Sequence, residues 1–345
     1  MVIDANVYWF PEQVFKDEQL LQRFLAEVPR AYGTVGKVRV HNGKKEIVIE
    51  RPVGSPGVNY VEGEYELETQ LADMDRAGVD KAVMKVPCCH EWLSLEMAKL
   101  FNDGMAEYAR RSAGRMIPLA VIPPFGGAAA FEELKRCHDE LGMKGIQMSA
   151  HYGELYLDDE AFEPLFQWLE MYQMTVYVHH TPVPVDHSSL LAYNNLRRSY
   201  GRCADQMIAV CREMMSGMFE KYPHVKVVHS MLGGGFFTFK DMVVPPETVK
   251  KDSAKRFEDN GAQMNRYLAE NIFFETSHAQ PWGRAALECA VKVLGADHII
   301  YGSSYPVRKE WLTGGPGFIN NMEISEEDKE DILWKNAVRL YGAQG

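Results

Sequence analysis

Apolar residues along this chain follow two patterns that alternate. One is a short run of β-branched, aromatic and aliphatic residues closed by a polar or turn-forming cluster. Such runs are Val2-Ile3 before Asp4-Ala5-Asn6-Val7-Tyr8, 81–86 before Pro87-Cys88-Cys89-His90, 116–122 before Pro123-Pro124, and 145–148 before Ser149-Ala150-His151. The series continues with Val176-Tyr177-Val178 before His179-His180-Thr181-Pro182, Val225-Lys226-Val227-Val228 before His229, 272–274 before Glu275-Thr276-Ser277-His278, and 298–301 before Gly302-Ser303-Ser304-Tyr305-Pro306. Runs of this length and composition read as buried strands. The other pattern places apolar residues at helical spacing over 66–77, 94–111, 128–141, 160–172, 204–219, 283–294 and 325–340, with Gly78 and Gly142 as C-caps. Eight strands alternating with helices predict a parallel sheet with helices outside it. Eight repeats predict closure into a (β/α)8 (TIM) barrel, and 345 residues fit such a barrel with insertions.

One region breaks the rhythm. Lys37-Val38-Arg39-Val40 and Glu46-Ile47-Val48-Ile49 flank a segment containing Asn42-Gly43, a strong hairpin signal. Residues 33–62 therefore read as a small β-hairpin insertion over one face of the main domain, as a lid or a dimer contact. The whole chain, 1–345, reads as a single barrel domain. Its net charge of −11 argues against a nucleic-acid partner. None of the six cysteines forms a C-x-x-C pair, so reduced thiols in a cytoplasmic protein are expected. Met1-Val2-Ile3-Asp4 reads straight into a strand, so no signal peptide is expected, and no apolar run reaches the ~18 residues of a membrane span.

Barrel active sites gather at the C-terminal ends of the strands. Six of the 11 histidines, His90, His151, His179, His180, His229 and His278, fall just after predicted strands. His179 and His229 share one strand–His–loop grammar. That predicts a common pocket in which the two imidazoles serve as general acid and base near neutral pH.

The wording of the chain resembles the amidohydrolase-related family typified by aminocarboxymuconate-semialdehyde, γ-resorcylate and carboxyvanillate decarboxylases. The landmarks are Val2-Ile3-Asp4, Leu141-Gly142-Met143-Lys144-Gly145-Ile146-Gln147, Leu157-Asp158-Asp159 with Phe162-Glu163-Pro164-Leu165, Tyr177-Val178-His179, Val228-His229 with Gly233-Gly234, and Tyr301-Gly302-Ser303-Ser304-Tyr305-Pro306. The resemblance implies a distorted barrel, often a homodimer. It also implies a metal site, and there the chain departs. Asn6-Val7-Tyr8 stands where the family carries His-x-His or Glu-x-His, and Ser304 stands where it carries an aspartate. Of the usual metal set His179 alone matches, while His229 matches the proton-transfer histidine.

One imidazole beside an amide, a phenol and a hydroxyl is a poor zinc site. No cofactor is therefore expected; a rebuilt metal site would need His179, His229 and a further His such as His90, His151 or His180. The catalytic expectation is His179, His229 and Tyr8, with Asp4 orienting a histidine. The substrate-binding expectation is Asn6, Ser304, His90, His151, His180 and Arg308, the last against a substrate carboxylate. The function that follows is a divergent, metal-independent lyase or hydrolase acting on a small carboxylated cyclic or unsaturated molecule. The alternative is a non-catalytic barrel that partners a catalytic paralogue.

Overall fold

The computed structural model describes residues 1–30, 34–51, 53–181, 183–245 and 260–343; Gly33 and Pro52 of the expected insertion, and Pro182, lie outside this set. Eight parallel strands carry the fold: β1 (Ile3–Tyr8), β2 (Lys81–Lys85), β3 (Met116–Pro118), β4 (Gly145–Ser149), β5 (Thr175–His179), β6 (Val227–His229), β7 (Ile272–Glu275) and β8 (Ile299–Ile300). They form two arcs, β1-β2-β3 and β4-β5-β6-β7-β8. Single parallel bridges join the arcs at both seams, Ala120 to Ile146 and Val7 to Tyr305. Sheet pairing is thus confined to a few residues per strand, which is the distortion of this barrel. Crossover helices cover it: α1 (Leu67–Ala77), α2 (Leu95–Arg111), α3 (Gly127–Asp139), α4 (Glu163–Tyr172), α5 (Arg202–Ser216), α6 (Gly261–Glu270), α7 (Arg284–Leu294) and α8 (Lys309–Asn320). No helix among the described residues is long and apolar enough to cross a membrane.

Side chains alternate across each strand and so build two separate cores. Ile3, Ala5, Val83, Leu119, Tyr177, Val228, Phe273 and Ile300 meet in the lumen. Val176, Val178, Val227, Ile272 and Phe274 point outward under the helices. This parity decides which polar residue at a strand end can reach the lumen.

The insertion is a three-stranded antiparallel sheet, Val35–His41, Lys44–Glu50 and Pro56–Val61, with the two-residue turn at Asn42 and Gly43, both at positive φ. Helix α1 stops at Gly78, whose φ of 67° provides the left-handed cap. Helix α8 is an element the residue pattern conceals. Gly314-Gly315-Pro316-Gly317 reads as a helix breaker, yet it lies inside the helix. Gly315 packs flat on the Tyr301 ring, where any Cβ would collide with the phenol. The C-terminal segment forms helical pieces from Glu326 to Tyr341, opened by a capping box at Ser325 and Asp328.

Candidate active site

The floor of the site begins with a bulge. The register of β1 against β2 slips between Asp4 and Val7, and a bulge re-aims side chains. It turns the Asn6 amide toward the charged ends of β2 and β7. The Lys85 ammonium donates to Asn6 Oδ1. Asn6 Nδ2 in turn faces Glu275 Oε2 at 3.0 Å and Ser304 Oγ at 3.2 Å. The carboxylate also accepts from Tyr177 Oη at 2.7 Å and from Ser277. Lys85 Nζ lies 4.1 Å from the Tyr177 ring centroid and 4.9 Å from that of Tyr8. Lys85, Asn6 and Glu275 have no exposed surface. Gly302 makes the approach possible, because a Cβ there would strike both Glu275 and Asn6. Burial drives the Lys85 ammonium down to about 7, against the pull of Glu275 and Asp4. Burial also raises Glu275.

Above this floor Tyr8 meets His179. The Tyr8 hydroxyl lies 2.8 Å from His179 Nε2, and His179 Nδ1 lies 2.8 Å from the His180 carbonyl oxygen. A carbonyl only accepts, so Nδ1 carries the proton, Nε2 accepts, and Tyr8 donates. Burial, then His90 and Lys85, hold His179 well below the usual imidazole range, and burial holds Tyr8 well above the usual phenol range. Both groups rest neutral. His180 stacks on His179 with centroids 4.2 Å apart, and its Nδ1 has no hydrogen-bond partner among the described residues.

A cavity of about 770 Å³ opens over the strand ends, lined by Tyr8, His180, Ser304 and Arg308 from the expected set. Its aromatic walls are Tyr65, Trp282 and Trp311, with His278 stacked on Trp311 at 4.4 Å. Gly57, Val58, Asn59 and Val61 of the insertion form one side, so the insertion stands over the mouth. Arg198 donates from the opposite side to Gly57 O at 3.0 Å. Arg202, at the start of α5, also lines the cavity, and its Nε has no hydrogen-bond partner among the described residues. Burial lowers this guanidinium to about 10, so it stays charged at neutral pH.

Several expected residues are placed elsewhere. His229 pairs in register with Val178 and Phe274, so it faces outward. Its nitrogens meet Gln206 Oε1 at 3.0 Å and Glu213 Oε2 at 2.9 Å on α5. It shares no pocket with His179, whose side chain lies on the opposite face of the sheet. Asp4 orients no histidine; it accepts from the backbone of Asn6 at 2.9 Å and of Ser303 at 3.0 Å, clasping β1 to the loop after β8.

His90 is locked below the cavity. Gln147 Nε2 donates to its Nδ1 at 2.9 Å, so its Nε2 carries the proton and faces Ser149 Oγ at 2.9 Å, which leads on to Glu91 and Arg51. Burial and then Arg51 push His90 down to about 3. His151 holds loops together through Gly153 O at 2.9 Å and Val183 O at 3.0 Å. Asn6 sits under the floor, with its amide committed to Lys85, Glu275 and Ser304, and cannot also hold a substrate. Arg308 lines the mouth but pairs with Glu310 at 3.2 Å.

Lys85, Glu275 and Arg202 are residues that attention to histidines passes over. A charged residue at the inward parity of an apolar strand end, as in Ala82-Val83-Met84-Lys85 and Ile272-Phe273-Phe274-Glu275, is the signal for the first two. Arg202 has no comparable signature within its long connecting segment.

Residues 71–343 match the amidohydrolase family. The chain belongs to that family. The 2-amino-3-carboxymuconate-6-semialdehyde decarboxylase of Dictyostelium discoideum is 25% identical over 281 residues, covering 80% of this chain and 76% of the relative. The γ-resorcylate decarboxylase of Polaromonas is 27% identical over 263 residues, covering 71% and 76%. Among solved structures, a dihydroxybenzoic acid decarboxylase from Polaromonas with bound manganese and 2-nitroresorcinol superposes with a TM-score of 0.70, at 18% identity over 99% of this chain and 96% of that one. Among the described residues no three His, Cys, Asp or Glu side chains converge to hold an ion. Asn6 Oδ1, the oxygen a cation would use, already faces the Lys85 ammonium. The residues at this mouth do not fit a divalent metal.

Proposed function

We propose that this amidohydrolase is a decarboxylase-like lyase that acts on a small, planar, carboxylated substrate without a metal step. The observation that carries the reading is an arginine, without a hydrogen-bond partner at Nε among the described residues, in the same cavity as Tyr8, whose hydroxyl is backed by neutral His179. Arg202 would anchor the carboxylate, for which a guanidinium fork is suited. Trp282, Trp311 and Tyr65 would sandwich the ring. The carbon–carbon bond breaks, carbon dioxide leaves, and the electron pair stays on the ring carbon. That carbon takes the Tyr8 proton, and water restores it to the phenolate. Before the transfer His179 Nε2 holds the phenol by accepting its O–H. The similarity to a 2-amino-3-carboxymuconate-6-semialdehyde decarboxylase and a γ-resorcylate decarboxylase supports the substrate class.

The test is a panel of hydroxylated benzoates and unsaturated dicarboxylates, followed by carbon dioxide release on chelator-treated protein. Turnover should survive chelation and be lost in Arg202→Ala. Turnover that requires added manganese would overturn the metal-free mechanism. Hydrolysis of esters or amides in place of decarboxylation would overturn the reaction class.

A further inference from the structure

We infer that the Lys85 ammonium is the resident cation of this barrel mouth, tethered through the Asn6 amide to the Glu275 carboxylate and serving Tyr8 as a fixed positive charge. The positions at which the resemblance puts metal ligands are held here by Asn6, Tyr8, His179 and Ser304. Lys85 Nζ reaches two of them, donating to Asn6 Oδ1 and facing the Tyr8 ring at 4.9 Å. The Asn6 amide has both an acceptor and a donor end. It accepts from the ammonium and donates to the carboxylate, so the two buried charges are coupled without touching. Asn6 and the Tyr8 and Tyr177 rings face the ammonium, and the titratable groups around it are the Glu275 and Asp4 carboxyls, the Cys88 thiol and the His90, His179 and His180 imidazoles. A buried amine with two carboxylates near it is costly unless its charge has a use. A phenol that gives up a proton next to it leaves a phenolate, and a fixed cation stabilises that anion without reorganising. Lys85 is therefore a positioning residue that acts through Tyr8 and Asn6.

This inference rests on the decarboxylase reading for the use of the charge, but not for its presence, and the test separates the two. Lys85→Ala removes the equivalent of an n-propylammonium group. Its thermal midpoint should rise with n-propylammonium chloride and stay unmoved with n-propanol or sodium chloride, while the wild type responds to none of them. Equal recovery with n-propanol would show packing alone and overturn the proposal. If Lys85→Ala does not fold, Lys85→Met should be less stable than the wild type and recover in Lys85→Met/Glu275→Gln. No recovery there would also overturn it.

On any substrate the wild type turns over, Lys85→Met should lower kcat by ~100-fold or more with KM nearly unchanged. The wild-type rate should fall as pH rises through about 7, where the ammonium discharges, and that limb should be absent in Lys85→Arg. A Lys85→Met enzyme with wild-type kcat would refute the catalytic part. Failure of the wild type on every carboxylated compound would sink the proposed reaction and leave the thermal result standing.

Discussion

Tyr8 meets His179 on one side and the cavity on the other, so its substitution separates binding from chemistry. Tyr8→Phe removes one oxygen and no packing of the ring. We expect kcat to fall by ~100-fold or more while KM changes little, as read by steady-state carbon dioxide release. A large rise in KM at constant kcat would instead make Tyr8 a binding residue. His229 behaves differently. His229→Ala strips the imidazole from buried Glu213 and Gln206. We expect a stability loss of about 3 kcal/mol in urea unfolding, with kcat per folded molecule held. A folded, stable variant with lost turnover would put His229 back into the reaction.

At the scale of elements, the site is a joint between the barrel and its insertion. The strand Pro56–Val61 walls the cavity, and Arg198, from the segment that enters α5, donates to Gly57 O across the mouth. Arg198→Ala should loosen this contact. We expect KM to rise roughly tenfold, about 1.4 kcal/mol, with kcat unchanged. Unchanged KM would mean that the insertion is held by other contacts. The hairpin was legible because Asn-Gly between alternating strands admits few other readings. Helix α8 was not legible, because its Gly-Gly-Pro-Gly run contradicts local propensity. Only the close packing of Gly315 on Tyr301 explains a helix there.

For the whole molecule, the histidines set the response to acid. Burial holds His90 at about 3 and His278 at about 4, and holds His179 and His180 well below 6.5. Their folded pKa values lie below the unfolded one, so the unfolded chain takes up protons first as pH falls. Each such group thus contributes stability that is full above about pH 6.5 and lost below it, at up to about 1.4 kcal/mol per pH unit. Asp4, Glu12, Glu64, Asp205 and Glu275, raised by burial, act in the opposite sense, but it is the unfolded imidazoles, at about 6.5, that titrate between pH 7 and pH 5. We expect the urea midpoint to fall between pH 7 and pH 5. A midpoint that holds or rises over that range would show that these rings are protonated in the native state.

The sequence by itself determined the barrel, its insertion and the candidacy of Tyr8 and His179. Alternation of buried strands with amphipathic helices is a local, periodic property, and residues at strand ends are drawn to one mouth by topology alone. The tertiary structure decided which face each of those residues takes. His229 and His179 share one local grammar, yet register with Val178 sends His229 under α5, while the inward parity of β5 sends His179 to Tyr8. A slip of one residue in β1 turned Asn6 from a presumed substrate ligand into the bridge between Lys85 and Glu275. Those two charges lie 190 positions apart in the chain. Their coupling exists only because a closed barrel brings its second and seventh strands to one lumen. No periodicity within a single segment encodes such a pair.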